Sequence, residues 1–225
     1  MTATFQILSL AFVLVIGAVA IRDHQRLRAR RAALLDEAAA ALISPSITWG
    51  GDGFPKLRGQ YHGQDIHVDL IPDTMVVRRL PQLWMSVTLL TPNPDLSALG
   101  MLVRYAGNEF YSLTSELEHR LDPPTGFPQE VLIRSGRPSG NALLNELRQP
   151  LAKILADPHV KEVAITNKGL RIVRQAAEGR RGDHLLLRQA TFDTSSIPYG
   201  ELEVVLAELG TLQLAISQRG SARAA

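Results

Sequence analysis

From Ile7 to Ile21 every residue is apolar except Ser9 and Gly17, and residues 1–21 carry no charged side chain. After a short N-terminal end, residues 1–4, this run predicts a transmembrane helix over residues 5–21. Such a helix is roughly 26 Å long at about 1.5 Å per residue. That is close to the ~30 Å hydrocarbon core of a bilayer. Backbone amides and carbonyls inside lipid must pair within the segment, so a span of this kind is helical throughout. A cleaved signal peptide is the rival, because Ala18-Val19-Ala20 has the small-x-small form of a cleavage site. Against it, no Lys or Arg precedes the run.

Behind the span, residues 22–43 predict a basic juxtamembrane stretch and stalk helix. Leu27, Leu34, Ala38 and Leu42 fall at helical spacing and form a stripe that packs on the chain's own domain or on a second copy. Ser44-Pro45 ends the helix, since the residue before proline avoids the α region. The periodicity then changes. Leu57–Tyr61 and Ile66–Ile71 flank His62-Gly63-Gln64-Asp65 and predict a hairpin, with Ile66, Val68 and Leu70 on its buried face. Met75–Leu80, Leu83–Thr91 and Met101–Tyr105 read as further strands, with Pro72 and Pro81 at ends, edges or bulges.

Residues 106–129 have the least regular pattern and end in the stiff stretch Asp122–Pro128. Val131–Arg134 predicts a strand and residues 141–156 a helix, which Pro150 must kink or split. Lys161–Thr166, Leu170–Gln175 and His184–Phe192 predict strands, and Asn167-Lys168-Gly169 a tight turn. Glu201–Ser217 predicts an amphipathic helix with Leu202, Val205, Leu209, Leu212 and Ile216 on its apolar stripe. Residues 218–225 read as a disordered tail.

These elements predict an α+β fold: an N-terminal transmembrane helix and an antiparallel-sheet domain with flanking helices. A strand-rich lobe (46–121) and an α+β lobe (130–217) are joined by a connector (122–129), and in both parts a helix is followed by an antiparallel meander, so two similar lobes fit the pattern. One sheet with helices on one face fits it equally. Apolar periodicity through residue 216 implies a core independent of lipid, so a fragment starting near residue 44 is expected to fold.

Charge sharpens the N-terminal picture. Residues 22–31 hold Arg22, Arg26, Arg28, Arg30 and Arg31 against Asp23, a local net of +4 in a chain of net +2, which leaves the remainder at −2. A nucleic-acid binder would carry its basic patch on the folded domain. Here the cations adjoin the apolar run, where the bilayer and its anionic headgroups are the expected partners. The positive-inside rule places the C-terminal domain in the cytoplasm, with a periplasmic domain as the alternative. The absence of cysteine excludes disulfides, thiolate metal sites and thiol nucleophiles.

No catalytic, cofactor or metal motif emerges from the remaining residues. The histidines lack metal-site spacing; His67 and Asp69 share a strand face without a third ligand in reach of the pattern. Arg137, Ser139 and Gly140, before the 141–156 helix, form a weak anion-site candidate without a Walker signature, in which Ser139 or Asn141 serves as the helix cap. Glu116/Glu118 and Glu201/Glu203 read as solvated acid pairs, and Trp49 beside its glycine turn as rim packing, a ligand platform or an interfacial residue. The sequence therefore points to a membrane-anchored module that binds an unknown protein partner or itself. The alternative is a membrane-tethered, hydrolase-like enzyme whose residues are scattered through the fold.

Overall fold

The computed structural model describes residues 2–74, 80–179, 192 and 194–224, and the side chains of all these except 2–5, 7–9, 24 and 220–224. The chain begins with α1 (Thr2–Ala32), a 3-10 turn (Ala33–Leu35) and α2 (Asp36–Ala39). A meander of β1 (Ile43–Trp49), β2 (Pro55–Tyr61), β3 (Gln64–Asp73) and β4 (Gln82–Leu90) follows. After β5 (Leu99–Val103) come a 3-10 turn (Thr114–Glu116), β6 (His119–Leu121) and β7 (Val131–Ser135). Helices α3 (Gly140–Glu146) and α4 (Arg148–Leu155), strands β8 (Val160–Ile165) and β9 (Gly169–Glu178), and helix α5 (Tyr199–Ala224) complete the order.

The described strands form one nine-stranded sheet, in the order β1-β2-β3-β4-β9-β8-β5-β7-β6. Every neighbouring pair is antiparallel. The α+β class is as expected. Segments 46–121 and 130–217 do not make separate sheets: β5 of the first lies between β8 and β7 of the second. One row of facing residues crosses all nine strands: Ile47, Leu57, Val68, Val87, Ile172, Val163, Met101, Ile133 and Leu121. All but Ile47 are buried in the core. The helices cover this face. Leu202, Val205, Leu209, Leu212 and Ile216 of α5 enter the same core, as do Leu143, Leu144, Leu151 and Ile154 of α3 and α4.

Several boundaries differ from the expected ones, each for a local reason. The helical region breaks into turns after Ala39, and Ser44-Pro45 lies inside β1 rather than before it. Ser44 has φ 50° and the β1–β2 register shifts between Ile43 and Ser46, so the proline sits at a bulge on an edge strand, where its missing amide costs no ladder bond. The first hairpin turns over only His62 and Gly63, at φ 50° and 77°. Pro150 does split the predicted helix: its ring would clash with the carbonyl of Glu146, where α3 ends. Helix α5 runs to Ala224 instead of ending at 217, and Arg219 pairs with Glu146 at 2.5 Å. Met75–Arg79 and most of His184–Phe192 lie outside the described residues. Phe192 is described and bridges to Gly179.

Helix α1 has two halves with different surroundings. The large apolar side chains from Leu10 to Ile21 are all more than half exposed, on every side of the helix. Among the described residues, no helix is long and apolar enough to cross a membrane. The expected span 5–21 falls partly outside the described side chains, which omit Phe5 and residues 7–9. Beyond the arginines, Leu34, Leu35, Ala38 and Leu42 are buried in the core, so the stalk packs on its own domain. Ile197 N donates to Leu34 O at 2.8 Å, tying the entry of α5 to the same point.

This packing revises the expected minimal fragment. A chain starting near residue 44 lacks four core residues, and truncating even one buried leucine costs about 2–5 kcal/mol. Residues 26–225 are expected to melt cooperatively in urea, whereas residues 44–225 aggregate or melt far earlier. Equal midpoints would show that the stalk adds nothing to the core. In the fragment 26–225, Leu209→Asp is expected to abolish the cooperative melt, because Leu209 is 1 % exposed and the aspartate would be buried without a partner.

Candidate binding site at the end of the first helix

The Arg-rich end of α1 lies against the β1–β2 turn. That turn is Gly50-Gly51-Asp52-Gly53. It closes through Gly50 N to Phe54 O (2.9 Å) and Gly53 N to Gly50 O (3.2 Å), while Phe54 N donates to the Asp52 carboxylate at 3.0 Å. Gly53, at φ 75°, takes the left-handed conformation the turn requires. The Arg28 guanidinium stands 5.0 Å from the Trp49 ring centre, and Arg31 stands 4.3 Å from that of Phe54. Arg31 Nη1 also donates to Gly53 O at 3.3 Å. Burial lowers the Arg31 pKa, and the Asp52 charge opposes that shift. Leu27, Arg28, Arg31, Trp49, Gly50, Gly51 and Gly53 line a groove of about 220 Å³. Of the five arginines singled out by the sequence, Arg28 and Arg31 line it; Arg22, Arg26 and Arg30 are exposed along α1.

Among the described strands β1, which carries Trp49, is one of the sheet's two edges, the other being β6, and it is exposed at all seven positions. Ile43, Ile47 and Trp49 are its large exposed apolar residues. Trp49 therefore sits at the rim of the fold, at the meeting of an open edge and a cationic helix end.

The other candidates are placed apart from this groove. Arg137 and Ser139 are exposed, and Gly140 packs on Ser135, whose hydroxyl donates to Arg137 O at 2.6 Å. Ser139 holds the N-cap position of α3 without a side-chain capping bond, so the expected cap bond is not made there. Asp69 pairs with Lys56 at 3.0 Å across β2 and β3. Glu201 accepts from Arg174 at 3.1 Å, and Glu203 from the Tyr199 hydroxyl at 3.1 Å. Among the described residues no three His, Asp or Glu side chains converge as a metal site.

A buried charged network escaped the sequence pattern. The segment 104–118 lies over the back of the sheet, away from the helices. It holds Glu109, 2.7 Å from Lys161, with both side chains almost fully buried. Lys161 is the extra residue of a bulge between Val160 and Glu162, and it also donates to Arg104 O at 2.8 Å. Glu162 accepts from the Ser112 hydroxyl (2.6 Å), Thr114 N (2.9 Å) and Arg171. Thr114 in turn packs where a Cβ on Gly100 would stand, 2.9 Å from its Cα. Nearby, Trp84 Nε1 lies 3.5 Å from Asp73, and burial together with Asp73, Glu109 and Glu162 pushes the Tyr111 phenol far up. In sequence, Lys161-Glu162 is an ordinary adjacent pair on a strand; only the bulge and the covering segment bury both.

No family model, curated protein or solved structure matches the chain.

The Glu109–Lys161 pair supplies a pH test. Burial alone would raise the Glu109 pKa, but the Lys161 ammonium and the Ala106 amide outweigh it and hold it below the ordinary value. The stability it lends is complete above the unfolded pKa of about 4.3 and is lost as pH falls through the lower folded value. Glu109→Gln strips Lys161 of a buried counter-charge, an expected cost of about 3–5 kcal/mol at pH 7. Urea midpoints of parent and variant should converge as pH drops below about 4.

Proposed function

We propose that this chain is a membrane-anchored α+β module whose domain faces the cytoplasm and binds a protein partner, or a second copy of itself, along its open edge. The observation that carries the binding role is β1: an edge strand exposed at every position, with Ile47 ending the apolar row that crosses the whole sheet. An unpaired edge offers amides and carbonyls to an added strand, and outward apolar side chains supply its specificity. Anchoring is supported by the apolar half of α1, exposed all round and followed at once by five arginines. Orientation follows from that same asymmetry.

The catalytic alternative draws less support. Beside segment 104–118 the buried Asp73 leaves one carboxylate oxygen without a partner among the described residues, but the two acids that fix the segment are engaged: Glu162 by Ser112, Thr114 and Arg171, and Glu109 by Lys161 and two backbone amides. Such saturation suits holding a segment down better than moving protons.

The edge is tested by comparing the full-length parent with Ile47→Lys, a charge that blunts strand addition while leaving a half-exposed site. Detergent-solubilised protein is examined by sedimentation and by affinity capture from its own membranes. The parent is expected to self-associate or retain a stoichiometric partner, and the variant to lose either by at least about ten-fold in affinity. Identical sedimentation and identical captured partners would remove β1 as the binding surface.

A further inference from the structure

We infer that the groove between the end of α1 and the β1–β2 turn is a binding site for the phosphate of an anionic phospholipid headgroup. The inference rests on the anchored reading of α1 and adds a ligand and a site to it.

Three observations converge on this groove. The first is position. Arg28 lies seven residues beyond Ile21, the last residue of the apolar run, hence about 10 Å along the helix. The headgroup layer extends about 5–8 Å beyond the hydrocarbon on each side. Side chains on a helix point back toward its N-terminus, which here is toward the bilayer. An arginine at that depth reaches the phosphates with its stem along the helix and its head in the headgroup layer.

The second is chemistry. The Arg28 guanidinium lies 5.0 Å over the Trp49 ring, a cation–π contact that uses none of its N–H donors and leaves them for an oxyanion. Arg31, also lining the groove, spends one donor on Gly53 O and is half-buried beside Phe54. Two guanidinium groups therefore face one small cavity. Asp52, the carboxylate whose charge acts on Arg31, accepts from Phe54 N through one oxygen. A phosphate between the arginines would add to the counter-charge that Asp52 already gives the desolvated Arg31.

The third is shape. Gly51 leaves the turn's backbone bare on the groove wall, where a Cβ would meet nothing within 4 Å, while the Asp52 carboxylate and the Lys56 stem stand against Gly50. Trp49, 39 % exposed, supplies the amphipathic ring that favours the membrane interface. The site would hold the domain down on the bilayer, with β1 close to the lipid surface.

The test uses the full-length protein in vesicles of phosphatidylcholine alone or with phosphatidylglycerol, both carrying acyl chains brominated near the headgroup. Trp49 and Trp84 are the chain's tryptophans, so subtracting the signal of Trp49→Phe isolates Trp49. Quenching of Trp49 is expected to rise at least about two-fold with phosphatidylglycerol. The apparent affinity for that lipid should fall about five-fold in Arg28→Gln, the loss of one cation at a membrane surface. Gly51→Glu points a carboxylate into open space at the groove and should abolish the lipid dependence, with circular dichroism and the urea melt unchanged. Equal quenching in both vesicles, or full lipid dependence in Gly51→Glu, would overturn the headgroup site. Reversal by millimolar inorganic phosphate would show a soluble anion as the ligand and overturn the lipid assignment. Release of the protein by an alkaline carbonate wash would instead mark failure of the anchor itself.

Discussion

Antiparallel pairing of β4 with β9 joins the N-terminal meander to the C-terminal strands. Gln82 meets Gln175 and Glu178 across a separation of more than ninety residues. Closing so long a loop costs chain entropy before any contact offsets it. Register is what makes the pairing worth its cost. Val87 must face Ile172, with Val68 beyond one and Val163 beyond the other. A slip of one residue would turn every apolar side chain of the row to the opposite face. Helix α5 lies over both β4 and β9, so its apolar stripe covers the seam and fixes that register.

The two faces of the sheet are then closed by different physics. The helical side is closed mainly by apolar burial, from Leu34 at the stalk to Ile216 near the end of α5, with the Arg174–Glu201 and Arg219–Glu146 pairs beside it. Over β5, β8 and β9 the other side is covered by segment 104–118, which has few apolar residues to bury and is held by ion pairs and hydrogen bonds to β8 and β9. Lys161 and Glu162 are adjacent in sequence, and the β8 bulge lets each reach a different anchor point on that segment. Buried pairs of this kind contribute modestly when intact and cost heavily when half removed. They act as fasteners for one conformation of the covering segment.

The same frame decides what stays open. With β4 and β9 in the middle, β1 is left as an edge and the β1–β2 turn as a rim. The stalk crosses that rim on its way from α1 into the core, since Leu34, Leu35 and Ala38 are buried just past Arg31. A basic helix end is thus brought against an exposed tryptophan and a glycine turn by the demands of core packing.

The sequence by itself determined the local elements. The period of two in Ile66, Val68 and Leu70 marked the buried face of β3, and the stripe from Leu202 to Ile216 marked α5. Pro150 announced the break between α3 and α4. These follow from interactions within a few residues, which alternation, helical spacing and proline chemistry report directly. The arginine cluster was legible for the same reason. The tertiary structure alone decided strand order, the insertion of β5 between β8 and β7, and the burial of Glu109, Lys161 and Glu162. It also decided that Arg28 and Arg31, rather than all five arginines, meet Trp49 and the glycine turn. Those outcomes depend on pairing between distant segments, and a charged side chain in sequence carries no sign of whether a distant segment will cover it.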